Sequence, residues 1–250
     1  MDHISRSRRR SAIVGSLWCL IAIASVTTMV GCGGRRDPVE DLKRDLSRYP
    51  EFSLIVQDIR VDEGFMPDYF LQFRALTASG KGAAGRDSLV YQDRTLEWLQ
   101  VREGIFGRYE HYVGMVIASK TVDGAATGVR QAHPPGYQHV GNPQYGSWGG
   151  GGFWQFYGQY AFMSAMLGGH RIGRADYAGY TRNRDSGRPY LGPTKNGRST
   201  FGTGGTQTQQ SRPRFSERYR QRMRSPGRGF GTRGGSSSSG RSSSGFGRGK

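Results

Sequence analysis

Arginine side chains are concentrated towards the end of the chain, and their type and spacing point to the recognition of anions. Residues 181–250 contain 16 basic side chains, 14 of them arginine, and only two acidic ones. A guanidinium group forms paired hydrogen bonds with phosphate oxygens, a geometry that a lysine ammonium group does not offer. We therefore predict that this region binds a polyanion. The candidate residues are Arg212, Arg214, Arg218, Arg220, Arg222, Arg224 and Arg228.

Apolar residues at helical spacing are interleaved with these arginines. Phe215, Tyr219 and Met223 lie four residues apart, so they would form one narrow stripe on a helix. A helix of this length is marginal in water on its own. We expect it to form only on an anionic surface, and the alternative is a solvated coil.

Cys32 is the second chemically distinctive residue, and it ends an apolar run. Four arginines between residues 6 and 10 precede this run, which covers residues 12–30 and is followed by Gly31-Cys32. A basic region, an apolar region and small residues before a cleavage point are typical of an export signal.

Residues 6–33 resemble the bacterial lipoprotein signal, with Met29 where that signal usually has leucine. The resemblance implies cleavage after Gly31 and a diacylglycerol on Cys32, usually with an added N-acyl chain. Two or three acyl chains would attach the protein to a membrane almost permanently. The alternative is an uncleaved anchor over residues 11–32, which is long enough to cross a bilayer. Both predict an envelope location outside the cytoplasm, on the outer membrane or the outer face of the plasma membrane.

A run of aromatic and apolar residues at 153–168 is a further candidate for membrane contact. Tryptophan and tyrosine settle at the boundary between lipid headgroups and acyl chains. The segment either lies in the membrane interface or packs as a helix on the preceding domain. The interface candidates are Phe153, Trp154, Phe156, Tyr157, Tyr160 and Phe162.

The sequence predicts no catalytic residues, no metal site and no cofactor. The two cysteines, Cys19 and Cys32, both belong to the N-terminal stretch, which excludes zinc ribbons and cysteine nucleophiles from the rest of the chain. His133 and His139 fall in a Gly- and Pro-rich stretch without the rigid frame that a metal ligand needs. His111 alternates with apolar residues, so we expect it in the core.

The helix and strands that would position these candidates precede most of them in the chain. Asp37 and Pro38 open a predicted helix that ends before Pro50. Alternating apolar residues then predict five antiparallel strands, with turns at 92–94 and 104–107 and a last strand from Tyr109 to near Lys120. Successive hairpins suggest a meander with the helix on one face. The fold class is therefore α+β: a small antiparallel sheet with one N-terminal helix, followed by a largely disordered Gly/Arg/Ser-rich C-terminal region.

The predicted organisation has six parts. They are a signal peptide (1–31), a tether (32–36), the α+β domain (37–122), a Gly/Pro/Tyr-rich linker (123–152), an aromatic segment (153–180) and a disordered cationic tail (181–250).

These features favour a non-catalytic envelope lipoprotein, held to a bilayer through Cys32, whose tail contacts anionic lipid or envelope polymer. One alternative is a membrane-tethered enzyme or small-ligand receptor. Another is an RNA-binding protein, because residues 227–235 resemble the Arg-Gly-Gly segments of that class. This last alternative requires that the chain is not exported.

Overall fold

A short helix, α1, opens the folded part of the chain. The computed structural model describes residues 37–80, 89–122 and 131–224, all of which belong to one unit. α1 spans Pro38–Leu46, and the Asp37 carboxylate accepts a hydrogen bond of 3.0 Å from the Val39 amide. This cap satisfies an amide that the helix itself leaves unpaired. The predicted helix is confirmed, although it ends at Leu46.

Five antiparallel strands form the central sheet, in agreement with the α+β class. They are β1 (Glu51–Asp62), β2 (Asp68–Gly80), β3 (Leu89–Thr95), β4 (Leu99–Val101) and β5 (Val116–Lys120). β1 pairs with β2 along its length, and β3 and β4 follow one another along the other edge of β2. β5 returns to pair with β1, so the order is β3-β2-β1-β5. The predicted meander is therefore wrong, because β4 pairs with β2 and β5 pairs with β1.

Two predicted turns in this part of the chain are also wrong. Residues 92–94 lie inside β3, and residues 104–107 lie inside a helix, α2, which spans Glu103–Tyr109. Ile105, Phe106 and Tyr109 are buried on α2 because positions four apart share one helical face. The alternating residues from Tyr109 onward therefore begin in a helix, and only Val116–Lys120 form the strand.

The first half of β1 is buried on both faces. All six residues from Glu51 to Val56 are buried. Successive side chains of a strand point to opposite faces, so both faces of this part of the sheet must be covered. Ser53 accepts a hydrogen bond from the side chain of Gln138, and Glu51 accepts one from Tyr145. The covering layer thus comes from the later part of the chain.

Residues 131–152, the described part of the predicted linker at 123–152, form this covering layer. They contain a single 3₁₀ turn (Tyr137–His139) and the strand β6 (Gly146–Trp148), which pairs with β7 (Trp154–Phe156). Tyr137 and Tyr145 are completely buried. Gly136 precedes Tyr137 with a φ of 81°, and a Cβ there would lie 3.2 Å from the Phe156 ring. The prediction failed because these buried rings follow no helical or strand period.

Residues 181–224, predicted as part of a disordered tail, are also folded. The elements after β7 are α3 (Phe162–Met166), α4 (Arg174–Asp185), β8 (Thr194–Lys195), β9 (Arg198–Ser199), α5 (Thr206–Ser211) and α6 (Pro213–Arg224). Tyr190 and Phe201 are buried, and the Tyr190 amide donates to the Ala132 carbonyl at 2.9 Å. Burial of these aromatic side chains offsets the conformational entropy that is lost when the segment becomes ordered.

Candidate anion-binding surface

The arginine-rich segment predicted from the sequence is the helix α6, which packs on the sheet. Phe215 and Tyr219 are partly buried against the core, with ring centroids 6.4 Å apart. The Tyr219 hydroxyl lies 2.8 Å from Nδ1 of His111. The helix is therefore confirmed, but packing on the protein orders it, and the expectation that it needs an anionic surface is wrong. Met223, the third residue of the stripe, remains 57% exposed.

The side chain of Arg212 binds to other residues of the protein. Its guanidinium donates to the Gln57 carbonyl at 2.9 Å and forms an ion pair with Asp58. It also lies over the Phe215 ring, 4.9 Å from the centroid. Arg212 thus fixes the start of α6 to β1, and the structure corrects its assignment as a polyanion-binding residue.

Five of the predicted arginines have no such carboxylate partner. Within residues 37–80, 89–122 and 131–224, no ion pair within 4.0 Å involves them. They are Arg214, Arg218, Arg220, Arg222 and Arg224. Glu217 is the one acidic residue of α6, so the helix surface is strongly cationic.

The five arginines form two rows along α6, because side chains four apart lie one above the other. One row contains Arg214, Arg218 and Arg222, and the last two line a shallow pocket against the end of β1. The other row contains Arg220 and Arg224, which line a second pocket on the side of residues 198–209. Cys32 and Arg228 lie outside the described residues.

The aromatic segment at 153–168 packs on the protein rather than forming one free helix. It is divided between β7, a 3₁₀ turn at Gly158–Tyr160 and α3. Trp154 and Tyr160 are buried, which corrects their assignment as membrane-interface residues. Phe156 and Phe162 are partly buried against the second core cluster.

The remaining two interface candidates differ in exposure. Phe153 is partly buried, with its ring 4.0 Å from the Arg171 guanidinium, whereas Tyr157 is 47% exposed. Five of the six candidates are therefore buried or partly buried, and the packing alternative holds for the segment as a whole.

Histidines occupy places that the sequence did not predict. His111, expected in the core, has a side chain that is 52% exposed. His133 and His139, expected in a flexible linker, are each only 1% exposed. Burial lowers the pKa of His133, because a charged imidazolium is poorly solvated inside the protein.

A buried carboxylate on β1 joins the sheet to the covering layer. Glu51 is 2% exposed, and its two oxygens accept hydrogen bonds of 2.8 Å from the hydroxyls of Tyr91 and Tyr145. Nε2 of His139 lies 3.3 Å from Oε1. Burial and the neighbouring carboxylate raise the pKa of Tyr91, so its hydroxyl remains a donor.

A second carboxylate, Asp176, organises the tyrosines of the later part of the chain. Its Oδ2 lies 2.6 Å from the Tyr137 hydroxyl and 2.6 Å from Nε2 of His170, and the Tyr190 hydroxyl donates to Oδ1. Burial alone would raise the pKa of Asp176, but the three hydrogen bonds hold it below its usual value. No spacing in the sequence indicates this cluster, because its members are up to 53 residues apart.

A groove of about 790 Å³ lies beside α1 and β5. Lys43, Arg108 and Lys120 line it, and each donates to protein oxygens nearby. The His170–Asp176 pair does not line it. Glu40 also lines the groove, and its carboxylate accepts a hydrogen bond of 2.8 Å from Lys43.

The described residues contain no group of three or more potential metal-ligating side chains. In the same part of the chain, no helix has the length and apolar character needed to cross a membrane. Comparisons of the chain with protein-family models, curated proteins and solved structures find no match.

Proposed function

We propose that this protein is a non-catalytic, membrane-anchored envelope lipoprotein that binds anionic lipid or envelope polymer through the arginines of α6. The observation that supports it most directly is the combination of a docked helix with five arginines that have no carboxylate partner among the described residues. Anchoring through Cys32 belongs to the same proposal and rests on the resemblance of residues 6–33 to the lipoprotein signal.

A docked helix suits this role because its arginines are already arranged. Residues four apart on a helix are separated by about 6 Å along its axis. Successive guanidinium groups of one row can therefore contact neighbouring phosphates of an anionic lipid surface or polymer. Phe215 and Tyr219 hold the apolar side of α6 on the protein and leave the cationic side outward. Less conformational entropy is then lost on binding than with a disordered arginine segment.

Removal of two arginines from one row tests the lipid-binding part of the proposal. Full-length protein held in neutral phosphatidylcholine nanodiscs is tested for capture of phosphatidylglycerol vesicles at several salt concentrations. A basic residue near an anionic surface contributes about 1 kcal/mol, so Arg218→Gln with Arg222→Gln should weaken capture roughly 30-fold at low salt. Capture should also fall steeply with salt, because exposed charges are screened.

The matched control removes the same charge elsewhere. Arg48 follows α1 and Arg94 lies on β3, and both are exposed. Arg48→Gln with Arg94→Gln should change capture less than twofold. Equal losses in the two double variants would reduce the effect to net charge and contradict a role for α6.

The anchor is tested at Cys32. Cys32→Ser should release the protein from the membrane fraction, and mass spectrometry of the wild-type protein should show acyl chains on its first residue. Unchanged membrane fractionation of the variant would favour an uncleaved span over residues 11–32. An unlipidated cytosolic protein would make RNA the leading anionic partner.

A further inference from the structure

A pocket of about 270 Å³ lies between α6 and residues 198–209. Arg220 and Arg224 line it from the helix, and Arg198 lines it from β9. No aspartate or glutamate is among the lining residues. Three positive charges therefore converge on one small space without a carboxylate to neutralise them.

A buried hydroxyl group in the wall of this pocket has no partner. Ser216 lines the pocket and is 2% exposed, yet its Oγ forms no hydrogen bond with any of the described residues. Buried polar atoms are normally hydrogen-bonded, and leaving one unsatisfied destabilises the folded protein. Ser216 lies one helical turn before Arg220, so the hydroxyl and the guanidinium share one face of α6.

The opposite wall of the pocket is held firmly in place. The side-chain nitrogen of Gln209 donates to the Gly204 carbonyl at 2.9 Å, and its side-chain oxygen accepts a hydrogen bond from Arg198 at 3.4 Å. Thr203 accepts a hydrogen bond of 3.1 Å from the Val113 amide. These contacts fix the segment to the domain and orient Arg198 towards the pocket.

Arg220 has donors left for a ligand. Its Nε donates a hydrogen bond of 3.3 Å to the Ser216 carbonyl. This bond orients the guanidinium without using its two η nitrogens. Since a water molecule occupies about 30 Å³ of liquid volume, the pocket has room for a phosphate group and several waters.

We propose that this pocket is a discrete binding site for one phosphate group, which Arg198, Arg220, Arg224 and the Ser216 hydroxyl contact together. A tetrahedral oxyanion has oxygens in several directions and so matches donors from two walls better than a planar carboxylate does. The site deepens the proposed function and rests on it, because it names a phosphate as the group that the α6 surface recognises. The phosphate is either free in solution or part of a lipid headgroup.

Calorimetric titration of the full-length protein with inorganic phosphate, in non-ionic detergent at low salt, tests the site. The wild-type protein should bind one phosphate with a saturable isotherm. Hydrogen bonds to charged groups contribute about 1.5–3 kcal/mol, so Ser216→Ala and Arg198→Gln should each weaken binding by roughly tenfold or more. The matched control, Arg94→Gln on β3, should change the affinity less than twofold.

Thermal unfolding without phosphate separates binding from folding. Ser216→Ala should be at least as stable as the wild type, because it removes an unsatisfied buried hydroxyl. Equal losses of affinity in Arg94→Gln and Arg198→Gln, or an isotherm that does not saturate, would overturn the site. So would a Ser216→Ala protein that is fully folded and binds phosphate as the wild type does.

The nanodisc assay distinguishes the source of the phosphate and keeps the two proposals separable. If Ser216→Ala weakens both phosphate binding and vesicle capture, the site takes a lipid headgroup. If it weakens phosphate binding alone, the site takes free phosphate. Arg218 and Arg222 do not line this pocket, so vesicle capture that persists in their double variant contradicts a role for that row in lipid binding and leaves the phosphate site standing.

Discussion

Two regions of this protein contribute different kinds of side chain to the core. The sheet region, residues 37–80 and 89–122, buries mainly aliphatic and phenylalanine side chains such as Leu54, Leu71 and Phe73. The tyrosine region, residues 131–224, instead buries rings whose hydroxyl groups need partners, among them Tyr137, Tyr145 and Tyr190. Buried carboxylates supply those partners.

The difference explains why the tyrosine region looks unstructured in the sequence but is folded. A sheet that buries one face requires apolar residues at every second position. A core built from a few large rings needs no period, because each ring buries a large apolar area wherever its backbone turn places it. Gly- and Pro-rich composition is then compatible with an ordered layer.

The largest expected effect comes from removing one buried ring from each region. Phe73→Ala and Tyr137→Ala should each lower the free energy of unfolding by about 3–5 kcal/mol, because each leaves a cavity. Urea unfolding followed by both fluorescence and circular dichroism should show one shared transition in each variant. If the sheet region of Tyr137→Ala unfolds at the same urea concentration as in the wild type, the tyrosine region folds independently of the sheet.

The contact between the two regions should depend on Glu51. Glu51→Gln should lower the free energy of unfolding by about 2 kcal/mol, because hydrogen bonds to a charged acceptor become bonds to a neutral one. Urea unfolding gives this value directly. Glu97→Gln, an exposed position in the loop before β4, should have almost no effect. Equal effects in the two variants would mean that Glu51 does not join the regions.

The Asp176 cluster should make the stability of the tyrosine region depend on acid pH. Its pKa is lowered in the folded protein, so Asp176 stabilises the fold above the unfolded value of about 4 and loses this effect as the pH falls through the folded value. Asp176→Asn should therefore be less stable than the wild type at pH 7, by about 1–2 kcal/mol, and the difference should shrink towards pH 3.

Urea unfolding at pH 7, 5 and 3 checks this dependence. Asp45→Asn, an exposed position on α1, serves as the control and should leave the pH profile unchanged. A wild-type minus Asp176→Asn difference that stays constant with pH would rule out this role for the carboxylate.

The smallest effect concerns the contact of α6 with the sheet region. Tyr219→Phe removes the hydroxyl that lies 2.8 Å from His111 and should cost about 0.5–1.5 kcal/mol. Hydrogen exchange should show faster exchange of α6 amides while β1 and β2 remain protected. Uniformly faster exchange throughout the chain would instead make α6 part of the same cooperative unit as the sheet.

Prediction from the sequence succeeded where a local pattern had one physical cause. The Asp37-Pro38 helix start and the long strands β1 and β2 are confirmed, because capping and alternation act between near neighbours. The turns at 92–94 and 104–107 are wrong because polar or glycine residues marked them, while pairing with β2 and burial of α2 decided the outcome.

For the candidate site, the sequence identified the arginines and the apolar stripe of α6. It did not indicate that Asp58 neutralises Arg212, or that Arg198 and Ser216 lie beside Arg220 and Arg224. These relations depend on residues up to 154 positions apart, which no motif spacing encodes.

The amino-acid sequence alone determined the excess of arginine over acidic residues, the periodic sheet residues and the helical spacing of Phe215 and Tyr219. Only the tertiary structure decided which arginines remain available, because a guanidinium that meets a carboxylate on another element is no longer free for an external anion. It also decided that the aromatic and tyrosine-rich stretches form core, since burying a ring stabilises a fold only when distant residues close around it.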